Sequence, residues 1–95
     1  MNIVITGGAG FLGVRLARAL LAQGTLSLAG QAPEAIDRLT LVDRASPPTD
    51  LLADARVKSE EGDLNALLQP GPVGTAAIPA GTDLVFHLAA AVSGE

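Results

Sequence analysis

Gly7, Gly10 and Gly13 recur at three-residue spacing in Thr6-Gly7-Gly8-Ala9-Gly10-Phe11-Leu12-Gly13. The apolar, β-branched segment Asn2-Ile3-Val4-Ile5 precedes them and reads as a strand. Val14 to Gln23 follows and reads as a helix. Glycine omits Cβ where a backbone must turn tightly or let another group come close. Gly7 can take the turn off the strand, Gly10 can admit a diphosphate to the main chain, and Gly13 can let the helix press on the strand. Free N–H groups at a helix start, together with the helix dipole, attract an anion. Each charge gains roughly 0.3–1 kcal/mol there, and up to ~2 when partly buried. The chemistry this stretch can do is therefore anion binding through bare amides.

Asp43 is the second candidate. It follows Leu39-Thr40-Leu41-Val42, which reads as another strand. A carboxylate at such a strand end can accept both hydroxyls of a ribose next to the diphosphate, at roughly 1.5–3 kcal/mol per charged hydrogen bond. It would also repel a 2′-phosphate. The alternative is an ordinary turn or capping aspartate. The gap from Gly13 to Asp43 exceeds the usual ~20 residues, and the stretch before Leu39 must absorb the excess. Arg44, next in the chain, could tolerate a 2′-phosphate. His87 lies on an apolar strand and reads as a structural, hydrogen-bonded histidine rather than a catalytic base.

The elements that must position these residues follow from periodicity. Leu12, Leu16 and Leu20, with Ala17 and Leu21, form the expected buried face of the first helix, and Arg15, Arg18 and Ala22 lie elsewhere on it. Gly24 is the expected helix stop. Residues 24–37 read as a loop with a short helical turn from Pro33 to Ile36. Ala45-Ser46-Pro47-Pro48 breaks the chain after the second strand. Arg56 to Glu60 reads as a third, more exposed strand, Gly62-Asp63-Leu64 as a turn, and Asn65 to Leu68 as a helical turn. Residues 69–81 read as a loop, and Asp83 to His87 as the fourth strand. Alternating strands and helices predict an α/β fold with a doubly wound parallel sheet. Counting strands in chain order, the expected spatial order is 3-2-1-4. The switch point falls between the first and fourth strands, where such sheets bind ligands at their carboxyl ends.

The totals narrow the reading. Ninety-five residues are enough for one small domain. A hydrophobic content of 48% with a mean hydropathy of +0.41 suggests strands covered on both faces, and further chain to cover them. The formal net charge is −4, and the cations Arg15, Arg18, Arg38, Arg44, Arg56 and Lys58 are scattered. With two Phe and no Tyr or Trp, the chain lacks the basic stripe and stacking aromatics of a nucleic-acid binder. The absence of Cys excludes disulfides, zinc-thiolate sites and thiol nucleophiles within this segment, and fits a cytoplasmic location. The start lacks the pattern of a signal peptide. No apolar run is long enough to span a membrane.

The form T-G-x-x-G-x-x-G resembles the fingerprint of the short-chain dehydrogenase/reductase superfamily, and TGGAGFLG resembles its extended branch, the NAD-dependent epimerase/dehydratase family. The resemblance implies a Rossmann-type sheet with NAD as cofactor. It implies contacts from Gly7, Gly10, Phe11, Leu12, Gly13 and Asp43. It further implies that Asp63, in Gly62-Asp63-Leu64, accepts from the adenine amino group while the Leu64 backbone meets the ring, although Asp63 can equally cap the helical turn after it. In His87-Leu88-Ala89-Ala90, it implies that Leu88, Ala89 and Ala90 line the cofactor path. Ser93 can contact the nicotinamide end or stand as a solvent-facing loop serine.

The family's chemistry uses a Tyr and a Lys four residues later. This chain has no Tyr, and its only Lys is Lys58. The expectation is that residues 1–95 form the N-terminal part of an NAD-binding Rossmann domain without its catalytic half. The run Phe86 to Glu95 and the long insertion before Leu39 are similar to members of the family that oxidise a four-carbon sugar acid at C2 by hydride transfer to NAD. The alternatives are a nucleotide-sugar epimerase or dehydratase, and a non-catalytic NAD-binding protein of the same fold. The resemblance implies a small-molecule substrate and a homodimer for the full-length chain.

Overall fold

The computed structural model describes residues 1–62, 78–79 and 81–88. The readings at Asp63, Leu64, Ala89, Ala90 and Ser93, the helical turn at Asn65 to Leu68 and most of the 69–81 loop lie outside the described residues. The described elements are β1 (Asn2–Thr6), α1 (Phe11–Gln23), β2 (Thr25–Leu26), β3 (Glu34–Ala35), β4 (Arg38–Asp43), α2 (Thr49–Leu52), β5 (Val57–Glu61) and β6 (Leu84–His87).

β5, β4, β1 and β6 form a parallel sheet in that order, which is the 3-2-1-4 arrangement expected from the sequence. β1 is internal, with Ile5 opposite Leu41 on one side and Phe86 on the other. Strand periodicity sorts the side chains onto two faces. Ile3, Ile5, Leu39 and Leu41 pack on one face with Ala17 and Leu20 of α1 and Leu51 of α2. Val4 and Val42 pack on the other with Ile78. The central strands are thus buried on both faces, as their near-continuous apolar sequence requires. Each such fully buried side chain contributes roughly 1.5–3 kcal/mol.

α1 ends where expected. Gly24 takes a left-handed φ of 76° and its N–H donates to the Leu20 carbonyl at 2.9 Å, a glycine cap that satisfies an otherwise open helix carbonyl. Its buried residues are Gly13, Ala17 and Leu20, with Leu16 and Leu21 half-buried. Leu12, expected on the buried face, is instead 59% exposed. It sits in the first turn and borders the cleft described below. Among the described residues no helix is long and apolar enough to cross a membrane.

Two further differences from the sequence reading concern short elements. The expected helical turn from Pro33 to Ile36 is extended: Glu34–Ala35 pairs antiparallel with Thr25–Leu26. Tertiary bonds override local preference here. The Met1 nitrogen donates to the Ala35 carbonyl at 2.7 Å, the Ile36 N–H to the Gly24 carbonyl at 2.9 Å, and the Ile36 side chain enters the core. Conversely, α2 follows Pro48 where the sequence reading gave only a break. Four residues are too few to show a helical period, and burial of Leu51 is what holds this turn in place.

β5 is anchored to α1 by Arg56. Its guanidinium donates to the Leu21 carbonyl at 3.2 Å and to both carboxylate oxygens of Asp54 at 3.0 and 2.8 Å. The Arg56 side chain first, and the Arg56 backbone N–H second, lower the Asp54 pKa to about 2. A depressed carboxylate pKa adds stability above the unfolded value of ~3.9 that is lost as pH falls through the folded value. Asp54→Asn should therefore lower the melting temperature at pH 6, and the gap to the parent should close between pH 4 and about 2. A pH-independent gap in melting curves would contradict this anchor.

Candidate functional site

The turn between β1 and α1 is built by glycines with different duties. Gly7 turns the chain with φ 76°. Its N–H and that of Gly8 both donate to the Val42 carbonyl, at 2.7 and 3.1 Å, and the Gly10 N–H returns to the Gly7 carbonyl at 3.1 Å. A Cβ on Gly13 would overlap the Gly7 carbonyl oxygen and lie 2.8 Å from the Gly8 Cα, so helix and turn touch backbone to backbone. A Cβ on Gly8 would lie 2.8 Å from the Leu41 Cβ. The sequence reading gave Gly8 no role. Within the turn Gly7 has the positive φ, so the second glycine beside it answers to a close approach.

Gly10 differs from all of these. Its backbone is extended, with φ −77° and ψ 173°, and a Cβ there would come no closer than 3.4 Å to any protein atom, the Gly7 carbonyl oxygen. The fold therefore does not require glycine at this position. What lies in front of it is an open cleft of about 310 Å³, bordered by Gly7, Gly10, Phe11, Leu12 and Gly13 on one side and by Asp43 and Leu88 across it.

The hydrogen-bond accounting points into that cleft. The Ala9 N–H donates to Asp43 Oδ2 at 3.1 Å, and the Val14 N–H to the Gly10 carbonyl at 2.9 Å. Between them, the amides of Phe11, Leu12 and Gly13 have no acceptor among the described residues. Among the described residues no side chain caps the helix, and no acidic residue stands in its first turn. These are the open donors of a helix start, with the positive end of the dipole behind them. The residues lining the cleft thus fit a diphosphate group: bare amides to bind it and a cradle at Gly10 that a side chain would fill.

Asp43 ends β4 and faces the turn. Besides Ala9, it accepts from the Arg44 N–H at 2.7 Å and the Ala45 N–H at 3.3 Å, both through Oδ1. The turn role foreseen as one alternative is present, and the same residue borders the cleft. Leu88 is held by its N–H on the Thr6 carbonyl at 3.0 Å. His87, in register with Thr6, shares a 2.7 Å hydrogen bond between its Nδ1 and the Thr6 hydroxyl. Phe11 is 73% exposed at the cleft mouth, with the Arg15 guanidinium 5.4 Å from its ring centre. Of the residues assigned to a cofactor from sequence, Gly7, Gly10, Phe11, Leu12, Gly13, Asp43 and Leu88 border this one cleft. Asp63, Leu64, Ala89 and Ala90 lie outside the described residues.

Comparison with known proteins identifies the family. A D-erythronate dehydrogenase from Cupriavidus necator is 55% identical over 97 aligned positions, covering 100% of this chain and 27% of that protein. One from Haemophilus influenzae is 43% identical over 96 positions, covering 98% of this chain and 25% of that protein. The chain thus spans about a quarter of the length of these curated relatives. No solved structure matches it significantly. The sequence model of the NAD dependent epimerase/dehydratase family runs from residue 3 to residue 95. It takes in the strand, the glycine turn and both banks of the cleft, and the chain belongs to that family, whose cofactor is NAD.

Proposed function

We propose that these residues are the cofactor-binding front of an NAD-dependent dehydrogenase that oxidises the four-carbon sugar acid D-erythronate at C2. The observation behind the binding half of this reading is the row of open amides at Phe11, Leu12 and Gly13 facing a cleft that Gly10 leaves clear. Support for the substrate comes from the names of the two relatives.

In this reading the amides of Phe11, Leu12 and Gly13 hold the diphosphate. Asp43 accepts from the adenosine ribose hydroxyls, and Leu88, Ala89 and Ala90 border the path toward the nicotinamide. Asp63 and Leu64 serve the adenine. NAD, when bound, supplies the hydride acceptor. The C2 hydroxyl proton goes to a group outside these residues, since the chain has no Tyr and its single Lys, Lys58, lies on β5 with its ammonium 3.7 Å from Glu60. Residues 1–95 are accordingly the N-terminal part of the domain, in a full-length protein that we place in the cytoplasm as a homodimer.

The test is direct. The purified full-length protein given D-erythronate and NAD should accumulate NADH, seen by its absorbance. With NADP the kcat/KM should fall at least about tenfold, a cost near 1.4 kcal/mol for a 2′-phosphate beside Asp43. Conversion of a nucleotide sugar without net NADH, and no reaction with D-erythronate, would overturn the substrate and establish an epimerase instead.

A further inference from the structure

Asp43 does more in this fold than wait for a ribose. Both of its carboxylate oxygens are engaged by backbone N–H groups. Oδ1 takes those of Arg44 at 2.7 Å and Ala45 at 3.3 Å, which fixes the carboxylate plane against the end of β4. Oδ2 then meets the Ala9 N–H at 3.1 Å. The neighbouring amides of the turn are satisfied differently: Gly7 and Gly8 by the Val42 carbonyl, and Gly10 by the Gly7 carbonyl. Ala9 is the residue at which a side chain from β4 grips the outer part of the turn, immediately before the open amides of Phe11, Leu12 and Gly13.

We propose that Asp43 is a positioning residue for the diphosphate-binding turn. By holding the Ala9 N–H it fixes the direction in which the amides of residues 11–13 face the cleft, independently of any contact with a ribose. The inference rests on the reading of the cleft as a dinucleotide site. It makes a prediction opposite in sign to simple electrostatics. A carboxylate bordering an anion site repels the anion, so a residue acting only on ribose hydroxyls should, when removed, leave unchanged or improve the binding of a ligand lacking those hydroxyls. A residue that aims the amides should weaken that same ligand when removed, even though a repelling charge has gone.

The experiment uses the full-length protein with ADP and 2′,3′-dideoxy-ADP as probes, titrated calorimetrically into the parent, Asp43→Ala and Asp43→Asn. Asp43→Ala should weaken dideoxy-ADP at least about tenfold, the lower end expected for loss of a charged hydrogen bond, and weaken ADP further. Asp43→Asn keeps one acceptor and turns the other into a donor facing an N–H, so it should weaken dideoxy-ADP by an intermediate factor. It also serves as the measurable variant should the alanine form fail to fold. In the ligand-free proteins, amide hydrogen exchange at residues 9–13 should be faster in both variants than in the parent. If ADP weakens while dideoxy-ADP is unchanged or tightens, the positioning role is overturned and the dinucleotide site stands. If the parent binds neither NAD nor ADP, both are overturned.

Discussion

Gly13→Ala should destabilise the full-length protein by about 2 kcal/mol and reduce NAD affinity at least about 100-fold. Two effects of opposite sign compete. In a helix interior, alanine is better than glycine by ~1 kcal/mol, which is the upper bound for Gly13 in the first turn, so propensity alone predicts a more stable protein. Against this, the new Cβ would overlap the Gly7 carbonyl oxygen and sit 2.8 Å from the Gly8 Cα and 3.0 Å from the Gly7 carbonyl carbon. All of these atoms are backbone, and no side-chain rotamer can relieve the contact. Overpacking costs typically 1–3 kcal/mol, and an immovable neighbour puts Gly13 at the upper end. The helix start must then move away from the turn, carrying the amides of residues 11–13 with it. Urea melts and NAD titration measure the two consequences separately. An alanine variant at least as stable as the parent would show that the turn can yield, and would remove the close approach as the reason for this glycine.

The features that were legible in the sequence are those fixed by local geometry or by long apolar periods. The sheet order followed from strands alternating with helices, and β1 and β4 were readable because Ile3, Val4, Ile5 and Leu39, Leu41, Val42 make two near-continuous apolar runs. The turn was readable because glycines in series between a strand and a helix have few other uses. What was not legible is set by contacts between distant segments. Glu34–Ala35 is a strand because Thr25–Leu26 lies beside it and Ile36 has a core to enter, neither of which residues 33–36 announce. Leu12 fits the apolar period of α1, yet it is 59% exposed beside the cleft. The Asp43 carboxylate could be placed at the mouth of the site from its position after β4, but its bond to Ala9 depends on how the turn folds back over Val42.

Gly10→Asn separates binding from folding in the opposite way to Gly13→Ala. The Gly10 backbone, at φ −77° and ψ 173°, suits any residue, and its Cβ direction is clear of protein atoms to 3.4 Å. Asparagine is also among the best residues at a helix N-cap and exceeds glycine there by a few tenths of a kcal/mol. Stability should therefore hold or rise slightly. The same side chain fills the cradle, and an N-cap oxygen accepts from the second or third amide of the helix, here Leu12 or Gly13. It would occupy the donors that a diphosphate needs. Losing even one charged hydrogen bond costs roughly 1.5–3 kcal/mol, and steric exclusion adds to it, so NAD affinity should fall at least about 100-fold, near 2.7 kcal/mol. A melting temperature equal to or above the parent's, together with that loss in an NAD titration, is the expected pair of results. Unaltered NAD affinity in a folded Gly10→Asn protein would mean that the diphosphate does not approach the chain here, because no other position on the turn offers open amides and an unobstructed backbone together among the described residues.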